Sequence, residues 1–210
     1  MVSGGLIVNT NYIFVNASVI EDNFENISFN LYSSQGLISS DYYSDSTRSI
    51  TWNDLSSKIY FYNMTVWDKA GHVSFSSTEN ITLDRVSPSG STSSPSSGFH
   101  SKENSQNLTA DISDSTGLKE GVLHVFNSSG YLINSTSILV GGLTATIGIV
   151  YNFVSDGIYD WFYRIFDVGG NVVQTENNTI IIDTIASNIY MGGPPSDSGD
   201  NDGNVFLDYN

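Results

Sequence analysis

The segment "SDSGDNDG" at 196–203 has residue types and a composition suited to metal chemistry. It places Asp197, Asp200 and Asp202 in a glycine-rich stretch. Hard cations such as Ca²⁺ bind several oxygen ligands from a flexible loop. The spacing is not that of a helix-loop-helix calcium site, and no glutamate follows at the right distance. A solvated acidic linker is therefore the favoured interpretation, with calcium as the alternative and no other cofactor expected.

Asn-x-Ser/Thr sequons are the second kind of candidate site, because they are the acceptors of N-linked glycans. Five lie on the polar face of strands predicted below, and three lie elsewhere: Asn16, Asn26, Asn63, Asn80 and Asn107, then Asn127, Asn134 and Asn177. Their position favours glycosylation of at least some of them. The alternative is that any asparagine on a surface would fall on a polar face.

Catalytic residues are not predicted. His72, His100 and His124 have no metal-binding spacing, and no serine lies in a nucleophile-elbow motif. Trp52 and Trp67 are candidates for stacking on carbohydrate, although aromatic cross-strand pairs in a sheet are the commoner role. We therefore expect no enzyme.

Composition limits the possible partners. The net charge is −15, from 22 acidic and 7 basic residues, which repels nucleic acid and anionic lipid. No apolar run approaches the length of a membrane span, so no membrane insertion of this segment is expected.

There is no cysteine and therefore no disulfide. The content of Val, Ile, Tyr and Phe, with few helix-forming residues, predicts an all-β protein.

The chain contains an internal repeat. Residues 55–84 align with residues 154–183 without a gap, and eight of the 30 positions are identical. An earlier pair, "LYSSQGLI" at 31–38 and "VFNSSGYLI" at 125–133, matches at a slightly smaller offset. One duplicated unit of roughly 100 residues explains both matches.

Within each unit, apolar residues alternate with polar ones. In the first unit Ile27, Phe29 and Leu31 alternate with Ser28 and Asn30. A period of two over short runs, interrupted by Gly, Asn, Asp and Ser, is typical of half-buried antiparallel strands. Six or seven such strands in about 90 residues predict a two-sheet sandwich.

The predicted organisation has four parts. Residues 1–86 and 104–186 form immunoglobulin-like or fibronectin-III-like sandwiches, and the Ser/Pro/Gly-rich residues 87–103 form a linker or a loose first strand. Residues 187–210 form an acidic junction followed by the first strand of a third unit or a strand exchanged with another copy. We expect the chain to be a part of a longer protein.

The repeated segments "WDKAGHV" and "FDVGGNV" are predicted to be hairpin turns between the last two strands. Asp68 and Asp167 can accept hydrogen bonds from backbone N–H groups just ahead of them. Gly71 and Gly170 can adopt a positive φ without penalty. These residues are therefore interpreted as turn and packing residues.

The ordered series of motifs resembles tandem immunoglobulin-like repeats in very large prokaryotic, especially archaeal, cell-surface proteins. The matches in the first unit are "NYIFVNAS" at 11–18, "FNLYSSQGL" at 29–37, "YFYNMTVWDKAGH" at 60–72 and "ENITLD" at 79–84. The second unit matches less well, through "NLTADISDSTGL", "VFNSSGYLINST", "FDVGGN" and "IIIDT". His72 departs from the pattern, because asparagine usually ends that turn in the family.

The resemblance implies an extracellular, surface-located array that serves as a stalk, adhesin or fibre without catalysis. Its partners would be neighbouring repeats or copies, and cell-surface glycans are a further expectation. In such arrays the loop that contains Glu21 and Asp22 sometimes holds calcium. Two alternatives remain: a filament joined by strand exchange through "GLIVNT" or "NVFLDYN", and a carbohydrate-binding module of an extracellular hydrolase.

Overall fold

The computed structural model describes residues 5–189, and over that range the chain consists of β-strands, turns and loops without a helix. Accordingly, this part of the chain has no helix with the length and apolar character needed to cross a membrane. The predicted strand at 204–210 and the candidate ligands Asp197, Asp200 and Asp202 lie outside the described residues.

The first unit has eight strands in two sheets. They are β1 (Leu6–Val8), β2 (Ile13–Asn16), β3 (Phe24–Ser33), β4 (Gly36–Tyr43), β5 (Ser49–Trp52), β6 (Lys58–Asp68), β7 (Val73–Phe75) and β8 (Glu79–Leu83). The larger sheet has the order β1-β8-β6-β3-β4, with β7 also paired to β6, and the smaller sheet pairs β2 with β5. All these pairings are antiparallel except that of β1 with β8.

The second unit has nine strands. They are β9 (Ser89–Ser94), β10 (Phe99–Ser101), β11 (Ser105–Ser113), β12 (Leu118–Asn127), β13 (Leu132–Leu139), β14 (Thr144–Asn152), β15 (Gly157–Asp167), β16 (Val172–Gln174) and β17 (Asn178–Ile182). The larger sheet has the order β10-β17-β15-β12-β13, with β16 paired to β15, and the smaller sheet has the order β14-β11-β9.

The two units have the same topology, because β1 to β8 correspond one by one to β10 to β17. The parallel pair β1 and β8 is repeated as β10 and β17. The predicted all-β architecture of two tandem immunoglobulin-like sandwiches is thereby confirmed. The Ser/Pro/Gly-rich residues 87–103 form β9, which belongs to the smaller sheet, and β10, which belongs to the larger one.

Each unit has its own hydrophobic core. In the first unit the alternating residues Ile27, Phe29 and Leu31 are fully buried, and in the second unit Trp161 and Tyr163 are among the largest buried side chains. The buried residues form two separate clusters, one in each unit. Burial of these apolar side chains is the main favourable contribution to folding.

The polar face of β3 differs from the sequence prediction. Ser28 and Asn30 lie opposite the core residues as expected, yet both are buried. The side-chain amide of Asn30 donates hydrogen bonds to Ser28 Oγ and to Asn63 Oδ1, and its Oδ1 accepts one from Ser40 Oγ. Neighbouring polar side chains therefore cover this face, and their hydrogen bonds compensate for the lost water.

A buried tyrosine near the start of β6 and of β15 fastens the preceding loop in each unit. The Tyr60 hydroxyl donates a hydrogen bond to the Ser56 carbonyl oxygen at 3.1 Å. The Tyr159 hydroxyl donates to the Ser155 carbonyl oxygen at 2.8 Å. This arrangement corresponds to the tyrosine corner of immunoglobulin-like sandwiches.

The chain enters and leaves the second unit at opposite ends of the sandwich. In the second unit β9 begins beside Ser113, at the end that carries the turn following β15, which we call the upstream pole. The last strand, β17, ends at Ile182 opposite Gly157, where β15 begins, which we call the downstream pole. The two poles are separated by the 11 residues of β15, or roughly 35 Å in extended conformation.

Candidate functional site: the junction between the two units

The turn at the upstream pole of the second unit is built around Asp167. Its Oδ1 accepts a hydrogen bond from the Asn171 backbone N–H at 2.8 Å, and its Oδ2 accepts one from the Asn171 side-chain amide at 2.8 Å. Gly170 has a φ of +91°, which a residue with a Cβ rarely adopts. The turn holds the Asp167 carboxylate at the end of β15, where it is completely buried.

The equivalent turn of the first unit uses a different partner. Asp68 Oδ1 accepts hydrogen bonds from the backbone N–H groups of Ala70 and His72, each at 2.9 Å, and Gly71 has a φ of +88°. Asp68 Oδ2 lies 2.7 Å from His72 Nδ1. The hydrogen bond to the Asp68 carboxylate raises the pKa of His72, and the same bond lowers the pKa of Asp68. In both predicted turns the aspartate carboxylate thus accepts hydrogen bonds from backbone N–H groups that follow it in the turn.

Asn171 also joins the two units. Its side-chain amide nitrogen donates hydrogen bonds to the main-chain carbonyl oxygens of Asp84 at 2.9 Å and Val86 at 3.3 Å. Asp84 directly follows β8 and is therefore the last residue of the downstream pole of the first unit. The downstream pole of one unit thus contacts the upstream pole of the next.

Three aspartates converge at this junction. Asp84 comes from the first unit, Asp114 from the loop after β11 and Asp167 from the end of β15. One carboxylate oxygen of each lies within 4.8 Å of the others, and all three residues are buried. We refer to Asp84, Asp114 and Asp167 as the aspartate cluster.

Asn171 holds both oxygens of Asp167, whereas hydrogen bonds hold only one oxygen each of Asp84 and Asp114. Asp84 Oδ1 accepts from the Val86 backbone N–H at 3.2 Å. Asp114 Oδ1 accepts from the backbone N–H groups of Thr116 and Gly117, both at 2.7 Å. The second oxygens of Asp84 and Asp114 are buried and have no hydrogen-bond partner in the described structure.

The sequence prediction did not find this cluster. Asp84 was part of the repeated "ITLD" strand, Asp167 was assigned to a turn and Asp114 was not singled out. One signal was available, because Asp84 is one of the identical positions of the repeat and has Asp183 as its counterpart. That position has the same local role in both units, since Asp183 Oδ1 accepts from the Ile185 backbone N–H at 3.2 Å.

The structure places the eight sequon asparagines in different surroundings. Three are exposed: Asn16, Asn107 and Asn177. The other five are partly buried: Asn26, Asn63, Asn80, Asn127 and Asn134. Asn127 Oδ1 caps a turn by accepting from the backbone N–H groups of Ser129 and Tyr131, and Asn26 Oδ1 is buried without a partner. A polar-face position therefore does not by itself make a side chain accessible.

The two candidate carbohydrate-stacking residues differ from each other. Trp52 is in the core of the first unit, only 8% exposed, with its Nε1–H donating to Asp41 Oδ2, so this candidate presents no surface for stacking on carbohydrate. It points inward because β5 alternates, placing Ile50 and Trp52 on the same buried face. Trp67 is partly buried and packs against the exposed Tyr42, with ring centroids 6.0 Å apart.

The remaining candidates do not assemble into a reactive site within residues 5–189. His72 pairs with Asp68, and His124 stacks on Phe162 with ring centroids 5.1 Å apart. No serine hydroxyl in this range is hydrogen-bonded to an imidazole. Glu21 Oε1 accepts from the Asn23 backbone N–H and so caps its own loop.

No family model matches the sequence, and no curated protein gives a significant match. Among solved structures, the fibronectin(III)-like modules of Clostridium thermocellum CbhA align at 17% identity over 86% of this chain and 89% of theirs, with a TM-score of 0.45.

Two adhesin structures also align with the chain. A tetra-tandem repeat from the extending region of a large adhesion protein aligns at 15% identity over 84% of this chain and 46% of that one, with a TM-score of 0.40. A 1.5-MDa bacterial ice-binding adhesin aligns at 12% identity over 89% of this chain and 61% of that one, with a TM-score of 0.41. The chain therefore spans roughly half of each of these two structures.

Proposed function

We propose that this chain is a non-catalytic spacer segment of an extracellular, surface-located repeat protein, acting in a stalk, adhesin or fibre. The observation that carries the proposal is that the chain enters and leaves the second unit at opposite poles. Because Asp84 leaves the first unit at its downstream pole and contacts the upstream pole of the second, each added unit extends the array by about the length of a sandwich.

The junction supports this proposal in a second way. Only four residues, 85–88, separate Asp84 from β9, and Asn171 binds the carbonyl oxygens of Asp84 and Val86 within this short connection. A short connection with side-chain contacts restricts the angle between neighbouring units, whereas a long Gly/Ser-rich linker would leave them independent. Restricted junctions suit a protein that must project a binding region away from a surface.

The resemblance noted in the sequence supports the extracellular location and the prokaryotic, especially archaeal, origin that we propose. The acidic surface, with a net charge of −15, suits a soluble array whose neighbours must not aggregate. Neighbouring repeats of the same protein are the proposed partners.

Small-angle X-ray scattering of the purified chain, combined with sedimentation equilibrium, tests the spacer proposal. We expect a monomer whose maximum dimension is about twice that of a single sandwich. A particle with the dimensions of one compact globule of the same mass would overturn the proposal.

The alternative proposal is a filament assembled by strand exchange through one of two donor segments, of which the structure describes one. In the segment "GLIVNT", residues 6–8 form β1, which pairs in parallel with β8 of its own unit, and this pairing favours the spacer over exchange of that segment. The other segment, "NVFLDYN", lies outside the described residues. Concentration-dependent polymers in the sedimentation experiment would favour strand exchange over the simple spacer.

A further inference from the structure

We propose that the aspartate cluster binds one Ca²⁺ ion between the two units. Calcium bonds to oxygen are about 2.3–2.6 Å long, so two ligands on opposite sides of one ion lie about 4.6–5.2 Å apart. The three carboxylate oxygens of Asp84, Asp114 and Asp167 lie within 4.8 Å of one another. One cation can therefore reach all three oxygens.

The two unpartnered oxygens are the observation that points to a ligand. Asp84 is 1% exposed and Asp114 is 7% exposed, and the Oδ2 atom of each is buried without a hydrogen-bond partner among the described residues. A buried carboxylate without a partner is strongly unfavourable unless a cation compensates for it. In both residues Oδ1 is already held by backbone N–H groups, so Oδ2 is the oxygen left for a metal.

No protein cation in the described range is paired with the cluster, although Lys58 and Arg85 lie near Asp84; the Arg85 guanidinium donates instead to the Leu55 carbonyl oxygen. The equivalent Asp68 in the first unit, by contrast, is paired with His72. Among the described residues, the Asn171 amide is the one side-chain donor bonded to the cluster, and its two hydrogens face three acceptors: the carbonyl oxygens of Asp84 and Val86, and Asp167 Oδ2. The cluster therefore offers more oxygen acceptors than it has bonded donors, and no ion pair compensates for its charge.

The composition of the site favours Ca²⁺ over Mg²⁺. Calcium accepts six to eight oxygen ligands in flexible geometry and combines carboxylates with main-chain carbonyls, while Mg²⁺ requires a near-ideal octahedron and gives up its water reluctantly. The cluster offers three buried carboxylates, each from the end of a different strand or the residue after it, with main-chain carbonyl oxygens nearby. We expect a dissociation constant of about 0.1–1 mM, the range of extracellular calcium modules.

Such an ion would cross-link the two units, because Asp84 belongs to the first unit and the other two ligands to the second. The inference goes beyond the spacer proposal and does not depend on it. A chain that binds no calcium can still be an extended monomer. The scattering experiment therefore tests the spacer proposal alone, and the calcium titration tests the metal site alone.

The test is calorimetric titration of the whole chain, freed of metal by chelator, with CaCl₂ and in parallel with MgCl₂. The variants Asp84→Asn and Asp114→Asn keep the size of the side chain and an oxygen for the local backbone hydrogen bonds. Asp183→Asn is the matched control, because it removes the equivalent charge at the downstream pole of the second unit. A triple control, with Asp197, Asp200 and Asp202 changed to Asn, removes the acidic segment predicted from sequence.

We expect the wild-type chain and both controls to bind Ca²⁺ more tightly than Mg²⁺, and Asp84→Asn and Asp114→Asn to weaken that binding roughly tenfold or more. Absence of calcium binding by the wild-type chain would refute the proposal, as would unchanged affinity in either cluster variant. Equal affinity for Mg²⁺ would refute the choice of ion.

Thermal unfolding separates loss of the site from misfolding. Replacing one of three mutually repelling carboxylates should leave the chain at least as stable as wild type in chelator, and less stable than wild type in millimolar Ca²⁺. A variant that is less stable under both conditions to the same extent would show a merely structural role for that aspartate and would contradict the proposal.

Discussion

The side-chain amide of Asn171, in the second unit, donates a hydrogen bond at 2.9 Å to the main-chain carbonyl oxygen of Asp84, in the first. The same side chain holds Asp167 Oδ2 at the end of β15. A single residue therefore organises a turn within one sandwich and fastens that sandwich to its neighbour. In the first unit the equivalent position is His72, which bonds to Asp68.

Replacing Asn171 by alanine should loosen the junction. The variant loses the bonds to the carbonyl oxygens of Asp84 and Val86, each worth roughly 1 kcal/mol, and the side-chain bond to Asp167. We expect the two units to tumble more independently in chelator, which ¹⁵N relaxation would detect as shorter rotational correlation times for each unit.

Asn127→Ala is the matched control for that experiment. Asn127 caps a turn of the same unit through the N–H groups of Ser129 and Tyr131, away from the junction. We expect it to lower the stability of the second unit while leaving the correlation times at their wild-type values. Equal correlation times in wild type and Asn171→Ala would show that this contact does not restrict the junction.

The two tyrosine corners should contribute similar amounts in separate units. Tyr60→Phe and Tyr159→Phe each remove a hydroxyl that donates to a backbone carbonyl oxygen in a buried setting. We expect each to lower the free energy of unfolding by about 1 kcal/mol, because the freed carbonyl oxygen also loses its partner.

Urea unfolding monitored by NMR signals of each unit measures this effect, as a lower midpoint at unchanged slope. The loss should appear in the unit that carries the substitution. Tyr131→Phe, at a tyrosine that is 71% exposed, is the control with no expected change. A loss shared equally by both units would contradict the separation of the two cores.

The turn at Asp68 and His72 should respond to pH. The hydrogen bond with Asp68 raises the pKa of His72 above its ordinary value of 6.5, so its stabilisation is present below pH 6.5 and is lost as the pH rises through the raised pKa. The bond with His72 lowers the pKa of Asp68 below 3.8, so that contribution is present above pH 3.8 and is lost as the pH falls through the lowered value.

The turn should therefore be most stable between about pH 3.8 and 6.5. NMR titration of the His72 ring protons checks the direction. Asp68→Asn should bring the pKa of His72 back towards 6.5. An unchanged titration in that variant would rule out Asp68 as the cause.

Glycan occupancy should follow accessibility rather than the sequon alone. We expect Asn16, Asn107 and Asn177, whose side chains are exposed, to carry glycans when the chain is produced in a host with N-glycosylation. Asn127 should carry less glycan, because its side chain is partly buried and is held in a turn by two hydrogen bonds to Oδ1, which restricts access to its amide nitrogen. Peptide mass spectrometry measures the occupancy of each site, and higher occupancy at Asn127 than at the exposed sites would contradict this ranking.

The fold could be predicted from the sequence because the residue patterns that determine it are local. The alternation of Ile27, Phe29 and Leu31 predicts a strand with one buried face, and the Asp-x-x-Gly spacing at Asp68 and Gly71 predicts the turn. The burial of Ser28 and Asn30 could not be predicted from the sequence, because it depends on polar side chains from β4 and β6. A pattern of period two shows which residues share a face and does not show what covers that face.

The aspartate cluster could not be predicted for a similar reason. Asp84, Asp114 and Asp167 are separated by dozens of residues, and each has a local role as an ordinary turn or strand-end residue. Their proximity arises only when the downstream pole of one unit meets the upstream pole of the next. The sequence instead directed attention to 196–203, where acidic residues are adjacent along the chain.

The parallel pairing of β1 with β8, and of β10 with β17, has a mechanical consequence. Three residues of β1 are in register with β8, and three of β10 with β17, and the chain leaves the two units along β8 and β17. Tension along the chain that reaches two such strands pulls them past each other lengthwise, so the hydrogen bonds between them bear the load together and do not open one at a time. We therefore expect both sandwiches to resist unfolding when the chain is under tension.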